Sequence, residues 1–166
     1  MYLNYFFDRD NTLIIDKGYT HNLKDLKWIP GALDVLKTLS SKNKRIFIVT
    51  NQAGIAKGKF TLKQYKIFNN FMLSELLKHS VKVEQVIFCP FHKNSVIKRF
   101  RADSYFRKPN PGMILKIVNK KHLSKSECIM IGDKMTDLKA GHAAGIDSYL
   151  FNQVNLFEFM ENKKLI

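Results

Sequence analysis

Two kinds of apolar run alternate along the chain. Nearly continuous runs occupy the aromatic start (Tyr2, Leu3, Tyr5, Phe6, Phe7), Arg45 to Thr50, Gln85 to Cys89, Glu127 to Ile131 and Ser148 to Phe151. Short runs of this kind, rich in Ile, Val and Phe, read as strands buried on both faces, as in a parallel sheet. Between them, apolar residues recur at helical spacing: Leu33, Leu36 and Leu39 after Pro30, then Leu62, Tyr65, Phe68, Met72 and Leu76, then Met113, Ile114, Ile117 and Val118 after Pro111. Pro30 and Pro111 suit first helical turns, and Thr61-Leu62-Lys63-Gln64 matches a capping box. A shorter helix is expected up to Ala144. This alternation predicts an α/β fold, a doubly wound parallel sheet with helices on both faces and right-handed crossovers.

The breaks in the pattern are as informative. The stretch from Asp16 to Pro30 lacks a sustained period and reads as a loop over the end of the first strand. A glycine-punctuated loop runs from Ala53 to Lys59, and the longest irregular stretch, Pro90 to Asn110, is a candidate functional loop. No repeat or linker interrupts the chain, so one domain is expected over residues 1–166.

Polar residues with chemical potential fall just after the strands: Asp8 and Asp10, Thr50 and Asn51, Asp133 and Asp137. Open α/β sheets bind ligands at this end. If the first strand runs on to Asp10, its period of two puts both carboxylates on one side. Two anions that close need a cation or strong donors to stay charged. The alternative for Asp8 and Asp10 is a solvated turn, since Asp and Asn are ordinary turn residues. Asn11 tolerates positive φ, which allows a sharp turn past Asp10.

A formal charge of +14 invites an anionic partner. Lysines are spread over every segment without interleaved stacking aromatics, which argues against nucleic acid and for a solvated surface or a small anionic substrate. No apolar run approaches the roughly 20 residues of a membrane span, and the start lacks the layout of a signal peptide. A cytoplasmic protein, with Cys89 and Cys128 as buried reduced thiols, is expected.

Asp8-Arg9-Asp10-Asn11-Thr12, Thr50-Asn51-Gln52, Arg107-Lys108-Pro109 and Gly132-Asp133-Lys134, in this order, resemble the four motifs of the haloacid-dehalogenase superfamily. Gly18-Tyr19-Thr20-His21, Gly54 to Lys59 and Arg107 to Met113 are similar to the D-glycero-D-manno-heptose-1,7-bisphosphate 7-phosphatase family, with the likeness running from Asp8 to Gly145. The resemblance implies a Rossmann-like fold without a large cap domain and a magnesium-dependent phosphatase acting on a small phosphorylated sugar as a monomer. It implies Asp8 as nucleophile, Asp10 as general acid and then base, and Thr50 and Lys108 as donors to the phosphoryl group, with Asn51 giving a backbone donor. Asp8, the Asp10 carbonyl and Asp133 would hold Mg²⁺. Arg107 and Lys134 would contact substrate, and Asp16, Gly18, Tyr19 and Gln52 are further substrate-binding candidates. Asp137 either orients Lys108 or the metal shell, or caps a helix start.

Two positions depart from the family pattern. Asn11 replaces a glycine, which the same turn tolerates. The four positions that hold a structural zinc in relatives fall on Cys89, Phe91, Ser104 and Phe106, of which one is a ligand type. His92 offers a second, but a closed tetrahedral site takes four. Zinc is therefore not expected, and Phe88, Phe91, Phe100 and Phe106 are expected to hold the loop by packing. Competing readings are a histidinol-phosphate phosphatase, a polynucleotide 3′-phosphatase and a catalytically retired binding protein.

Overall fold

The structure, a computed structural model, describes residues 2–166. In chain order the elements are β1 (Asn4–Phe7), α1 (Ala32–Ser41), β2 (Arg45–Asn51), α2 (Ala53–Ala56), α3 (Leu62–Lys78), β3 (Val83–Cys89), α4 (Gly112–Lys121), β4 (Cys128–Gly132), α5 (Met135–Ala144), β5 (Asp147–Leu150) and α6 (Leu156–Asn162). The strands form one sheet in the order β3-β2-β1-β4-β5, and every pairing is parallel. The chain builds from β1 outward to β3, then returns to β4 on the other side of β1. That reversal opens a crevice between the carboxyl ends of β1 and β4, the position from which such sheets bind ligands.

Strand residues feed two cores alternately. Tyr5, Phe7, Ile46, Ile48, Ile129 and Ile131 point into one, packed under α1, α3 and α6. Phe6, Phe47, Val49, Cys128 and Met130 point into the other, under α4 and α5. Both faces are thus dry, which is why these strands read as unbroken apolar runs rather than alternating ones. Each large apolar side chain withdrawn from water in this way stabilises the fold by about 1.5–3 kcal/mol.

The helix starts follow local chemistry. At α3 the Gln64 amide donates to Thr61 Oγ1 at 3.1 Å and the Thr61 amide to Gln64 Oε1 at 2.8 Å, the reciprocal arrangement that the sequence predicts. Helix α6 has no counterpart in the expected elements. Its start is fixed by Asn155 Oδ1, which accepts from the Phe157 and Glu158 amides. Gly31, at φ 77°, precedes α1 and lets the α6 start approach; a Cβ there would lie 2.6 Å from the Phe157 nitrogen.

Three expectations need revision. Strand β1 stops at Phe7, so Asp8 and Asp10 do not share a strand face, and Asp10 forms only an isolated bridge to Ile14. The loop from Ala53 contains the short helix α2. In the long irregular segment, Phe100 packs with Ile55, Ala56, Phe60 and Tyr65, and Phe88 and Phe91 lie against this cluster. Phe106 does not join it. It is exposed, with the Lys116 ammonium 5.3 Å from its ring centre, because the chain turns outward there to deliver Arg107 and Lys108 to the sheet. No large cap stands among the described residues, as the sequence predicts.

Candidate active site

Asp8 is the first residue past β1, and its amide still donates to Ile131 O of β4 at 2.9 Å, which pins the residue over the crevice. Its side chain is buried and meets Lys108, which the irregular segment brings in from far along the chain. The Lys108 ammonium donates to Asp8 Oδ1 at 2.7 Å and to Val49 O at 2.8 Å, and it lies 2.5 Å from Asp137 Oδ1. At 3% exposure this lysine stays charged: burial works against its proton, but Asp8 and Asp137 outweigh burial and raise its pKa. Asn51 fixes the lysine's backbone, donating from Nδ2 to Lys108 O and accepting from the Lys108 amide, both at 3.0 Å. The Asn51 side chain is thus a clamp on the loop.

Asp133 follows β4, and Asp137 sits in the first turn of α5. Asp137 does both things the sequence left open. Its Oδ1 meets Lys108, while its Oδ2 accepts from the Lys134 amide at 2.9 Å and caps the helix. Gly132 makes room for it, since a Cβ at that position would lie 2.5 Å from Asp137 Oδ2. Asp8, Asp133 and Asp137 bring one carboxylate oxygen each to within 4.8 Å of one another. Burial and then repulsion from Asp8 push the Asp133 carboxyl up to about 7, against the opposing charge of Lys134 at 3.9 Å. Asp133 Oδ1 is buried and has no protein partner among the described residues. A converging set of carboxylates with one such oxygen suits a hard dication that takes oxygen ligands. The Asp10 carboxylate is not part of this group.

Asp10 is held elsewhere. Its Oδ1 accepts from Arg9 Nε at 2.8 Å and its Oδ2 from Gln52 Nε2 at 2.9 Å. The following residue, Asn11, takes φ 59°, the left-handed turn that the sequence predicts. Asn11 Oδ1 then accepts from the Asp16 amide at 2.9 Å, and Asp16 Oδ1 accepts from the Thr20 amide at 2.7 Å. These bonds fold the loop from Asp16 to Thr20 over the corner. Tyr19 is held there by Lys57, whose Nζ donates to its hydroxyl at 2.8 Å.

These residues surround a cavity of about 250 Å³. Of the residues singled out in the sequence, Asp8, Asp10, Asp16, Tyr19, Asn51, Gln52, Arg107, Lys108 and Lys134 line it. Gly18, Thr50 and Asp133 do not. Thr50 is fully buried and its hydroxyl accepts from Gln52 Nε2 at 2.9 Å, so it lies beneath Gln52 rather than on the wall. The walls also include Gly54 and Thr136, which the sequence reading left without a role, although Gly54 opens one of the family-like stretches. Arg9, buried behind Asp10, was likewise missed; only its place between the two aspartates could have signalled it. Arg107 is half-buried and donates from Nη1 to Phe91 O at 3.3 Å, whereas Lys134 is exposed at the rim.

Comparison with known proteins agrees with this geometry. The HAD-hydrolase-like family model matches residues 105–153, which carry Lys108, Asp133 and Asp137. The chain is 35% identical over 141 residues to the D-glycero-β-D-manno-heptose-1,7-bisphosphate 7-phosphatase of Escherichia coli K12, covering 85% of this chain and 74% of that protein. It is 31% identical over 156 residues to the enzyme of the same name from Rhodopseudomonas palustris, covering 94% and 87%. Among solved structures, the D,D-heptose 1,7-bisphosphate phosphatase of B. bronchiseptica, complexed with magnesium and phosphate, superposes with a TM-score of 0.81 at 22% identity, covering 98% of this chain and 87% of that one. At that identity the last likeness is one of fold. Shared sequence across both halves of the sheet, with the strand-end carboxylates and lysine in place, makes this chain a member of the D-glycero-β-D-manno-heptose-1,7-bisphosphate 7-phosphatase family, within the haloacid-dehalogenase-like hydrolases.

Proposed function

We propose that this protein is a magnesium-dependent phosphatase that removes the 7-phosphate of D-glycero-D-manno-heptose 1,7-bisphosphate through an aspartyl-phosphate on Asp8. The observation that carries the reading is the Asp8 carboxylate, set at the cavity wall between the Lys108 ammonium and the Asp133 and Asp137 carboxylates. A carboxylate beside a fixed cation is placed to meet a phosphoryl group, whose transfer rests on positioning and on neutralising charge.

In the first step an Asp8 oxygen bonds to phosphorus while the bond from phosphorus to the substrate oxygen breaks, and Asp10 gives its proton to that departing oxygen. In the second step water attacks the same phosphorus, Asp10 takes a proton from the water, and the bond from phosphorus to the Asp8 oxygen breaks, releasing phosphate and restoring the carboxylate. Burial raises the Asp10 carboxyl's pKa against the opposing charge of Arg9, and Asp8 adds to the rise, which brings the proton-carrying form within reach. Lys108 holds its charge against the phosphoryl oxygens throughout. Asp8 and Asp133, with Asp137 beside them, would hold the magnesium, which supplies further neutralisation of those oxygens.

Substrate class follows from the rim. Lys108 serves one phosphoryl group, and Arg107 and Lys134 add cations on the same cavity, which favours a second phosphate on the substrate. Asp16 and Tyr19 offer an acceptor and a hydroxyl to sugar hydroxyls. We take the monomer as the working unit. No helix among the described residues is long and apolar enough to cross a membrane. Two free, buried thiols suit the reducing cytoplasm, where we place the enzyme.

A phosphate-release screen tests the proposal, comparing heptose 1,7-bisphosphate, other sugar bisphosphates and monophosphates, histidinol phosphate and 3′-phosphorylated oligonucleotides. The heptose bisphosphate should have the highest kcat/KM and lose its 7-phosphate. Faster turnover of histidinol phosphate or of an oligonucleotide would reassign the enzyme.

A further inference from the structure

Arg9 is among the largest fully buried side chains of the protein, at 1% exposure, and the catalytic steps above give it nothing to do. Burying a guanidinium is unfavourable unless its charge and donors are met. Here one carboxylate meets the charge, at 2.8 Å from Nε, and it is that of Asp10. Nη2 lies 2.8 Å from the same Asp10 oxygen, Oδ1, and it is also fixed from other elements, donating to Gln52 Oε1 at 3.2 Å and to Thr20 O at 3.3 Å. The guanidinium carbon lies 5.1 Å from the Phe68 ring centre and 5.7 Å from that of Tyr65, both on α3. Nη1 is buried without a partner among the described residues. An apolar residue of similar volume would often stabilise such a site at least as well as the buried charge, so stability alone does not account for this arginine.

Geometry supplies the reason. Asp10 stands past the end of β1 and next to the left-handed Asn11, so no strand ladder orients it. The terminal torsion of an Asp side chain is soft and roughly two-fold. Two donors approach its two oxygens, Arg9 on Oδ1 and Gln52 on Oδ2, and Arg9 also holds Gln52. This triangle fixes the plane of the carboxyl. Oδ1 is taken up by two nitrogens of the Arg9 fork, whereas Oδ2 accepts one bond, from Gln52, and keeps a lone-pair direction free for the proton that catalysis moves.

We propose that Arg9, locked against α3 and against Gln52, is the positioning residue that aims the Asp10 carboxyl at the departing oxygen. The inference rests on the reading of Asp10 as general acid. A lysine cannot replace the planar fork, so Arg9→Lys keeps the charge and loses the orientation.

The experiment measures kcat/KM over a series of aryl phosphates of increasing leaving-group pKa, a parameter that reports steps only through cleavage of the substrate's bond to phosphorus. Asp10→Asn should steepen the dependence, because poor leaving groups need the proton. Arg9→Lys, folded by circular dichroism, should steepen it likewise, losing on the order of 100-fold with phenyl phosphate but only about threefold with dinitrophenyl phosphate. In the Asp10→Asn background Arg9→Lys should add little. Gln52→Met repeats the measurement with the Arg9–Asp10 ion pair intact, and it carries the test alone if Arg9→Lys does not fold. A steeper slope supports the inference. An equal loss on all leaving groups, with Asp10→Asn still selective, overturns it and leaves Asp10 as the acid. An unselective Asp10→Asn overturns the role of Asp10 itself, and the inference with it.

Discussion

The Lys108 ammonium stands 2.7 Å from Asp8 Oδ1 although the two residues are 100 positions apart in the chain. The reacting carboxylate and its counter-charge therefore belong to different loops, and Asp8 loses its paired cation without Lys108, whereas Lys108 would still meet Asp137.

Lys108→Met is expected to abolish turnover and to destabilise the fold by about 3–5 kcal/mol, because it strands Asp8 and Asp137 in a buried site with no cation. Urea unfolding alongside activity checks this. An unchanged midpoint would show that solvent reaches the two carboxylates.

Asp8→Asn removes the nucleophile and little else, since an amide oxygen can still accept from Lys108. Turnover should fall by orders of magnitude while the urea midpoint stays close to that of the parent. Near-parental activity in the folded variant would rule out the covalent route.

Arg107→Ala should lower kcat/KM for heptose bisphosphate far more than for 4-nitrophenyl phosphate, because only the former presents a second phosphate to the guanidinium. Equal losses on both would show that Arg107 acts through its bond to Phe91 O, as a fastening of the loop.

The segment from Cys89 to Phe106 should contain far less than one zinc per chain when the protein is purified without chelators and analysed for metal. The cluster around Phe100 supports this, since it gives the loop a packed base of its own. Phe100→Ala should cost on the order of 3 kcal/mol. Stoichiometric zinc would refute the expectation.

Asp16 gives a pH signature. Burial pulls its carboxyl up, but the Thr20 amide and hydroxyl, the Tyr19 amide and the Arg9 charge more than offset this and hold it below the usual carboxylate range. A folded-state pKa below the unfolded value of about 3.9 means that its stabilisation is present above that pH and is lost as pH falls through the folded value. Asp16→Asn should therefore be less stable than the parent at pH 6, with the gap closing toward pH 3. A gap that is constant with pH, read from urea midpoints, would contradict the linkage.

The sheet was legible because burial on both faces leaves uninterrupted apolar runs, and the polar residues that end them had to lie at one edge. Asp8 and Asp133 could be found in this way, whereas Lys108, in the irregular segment, was legible only from its family-like Arg107-Lys108-Pro109 motif. The double use of Asp137 could not, because helix capping and ion pairing ask for the same residue at the same place. Thr50 was expected on the wall of the cavity, yet the Gln52 side chain folds back over its hydroxyl, a contact that sequence spacing does not encode. Phe106 was expected in the aromatic cluster, but a run of aromatics shows that a core exists without showing which member the chain must turn outward. Arg9 was overlooked because a charged residue beside a strand end reads as solvated until α3 is seen to cover it.

The strand order also has a kinetic consequence. Strands β1, β2 and β3 join by successive neighbours, whereas β4 must return past all of them to pair with β1. Asp133 and Asp137 travel with that return, so a chain that has assembled only its first half carries Asp8 and no acid cluster. Contacts of such long sequence separation form slowly. During refolding, regain of phosphatase activity should therefore lag behind the recovery of helix signal, and its rate should report the closing of the seam between β1 and β4.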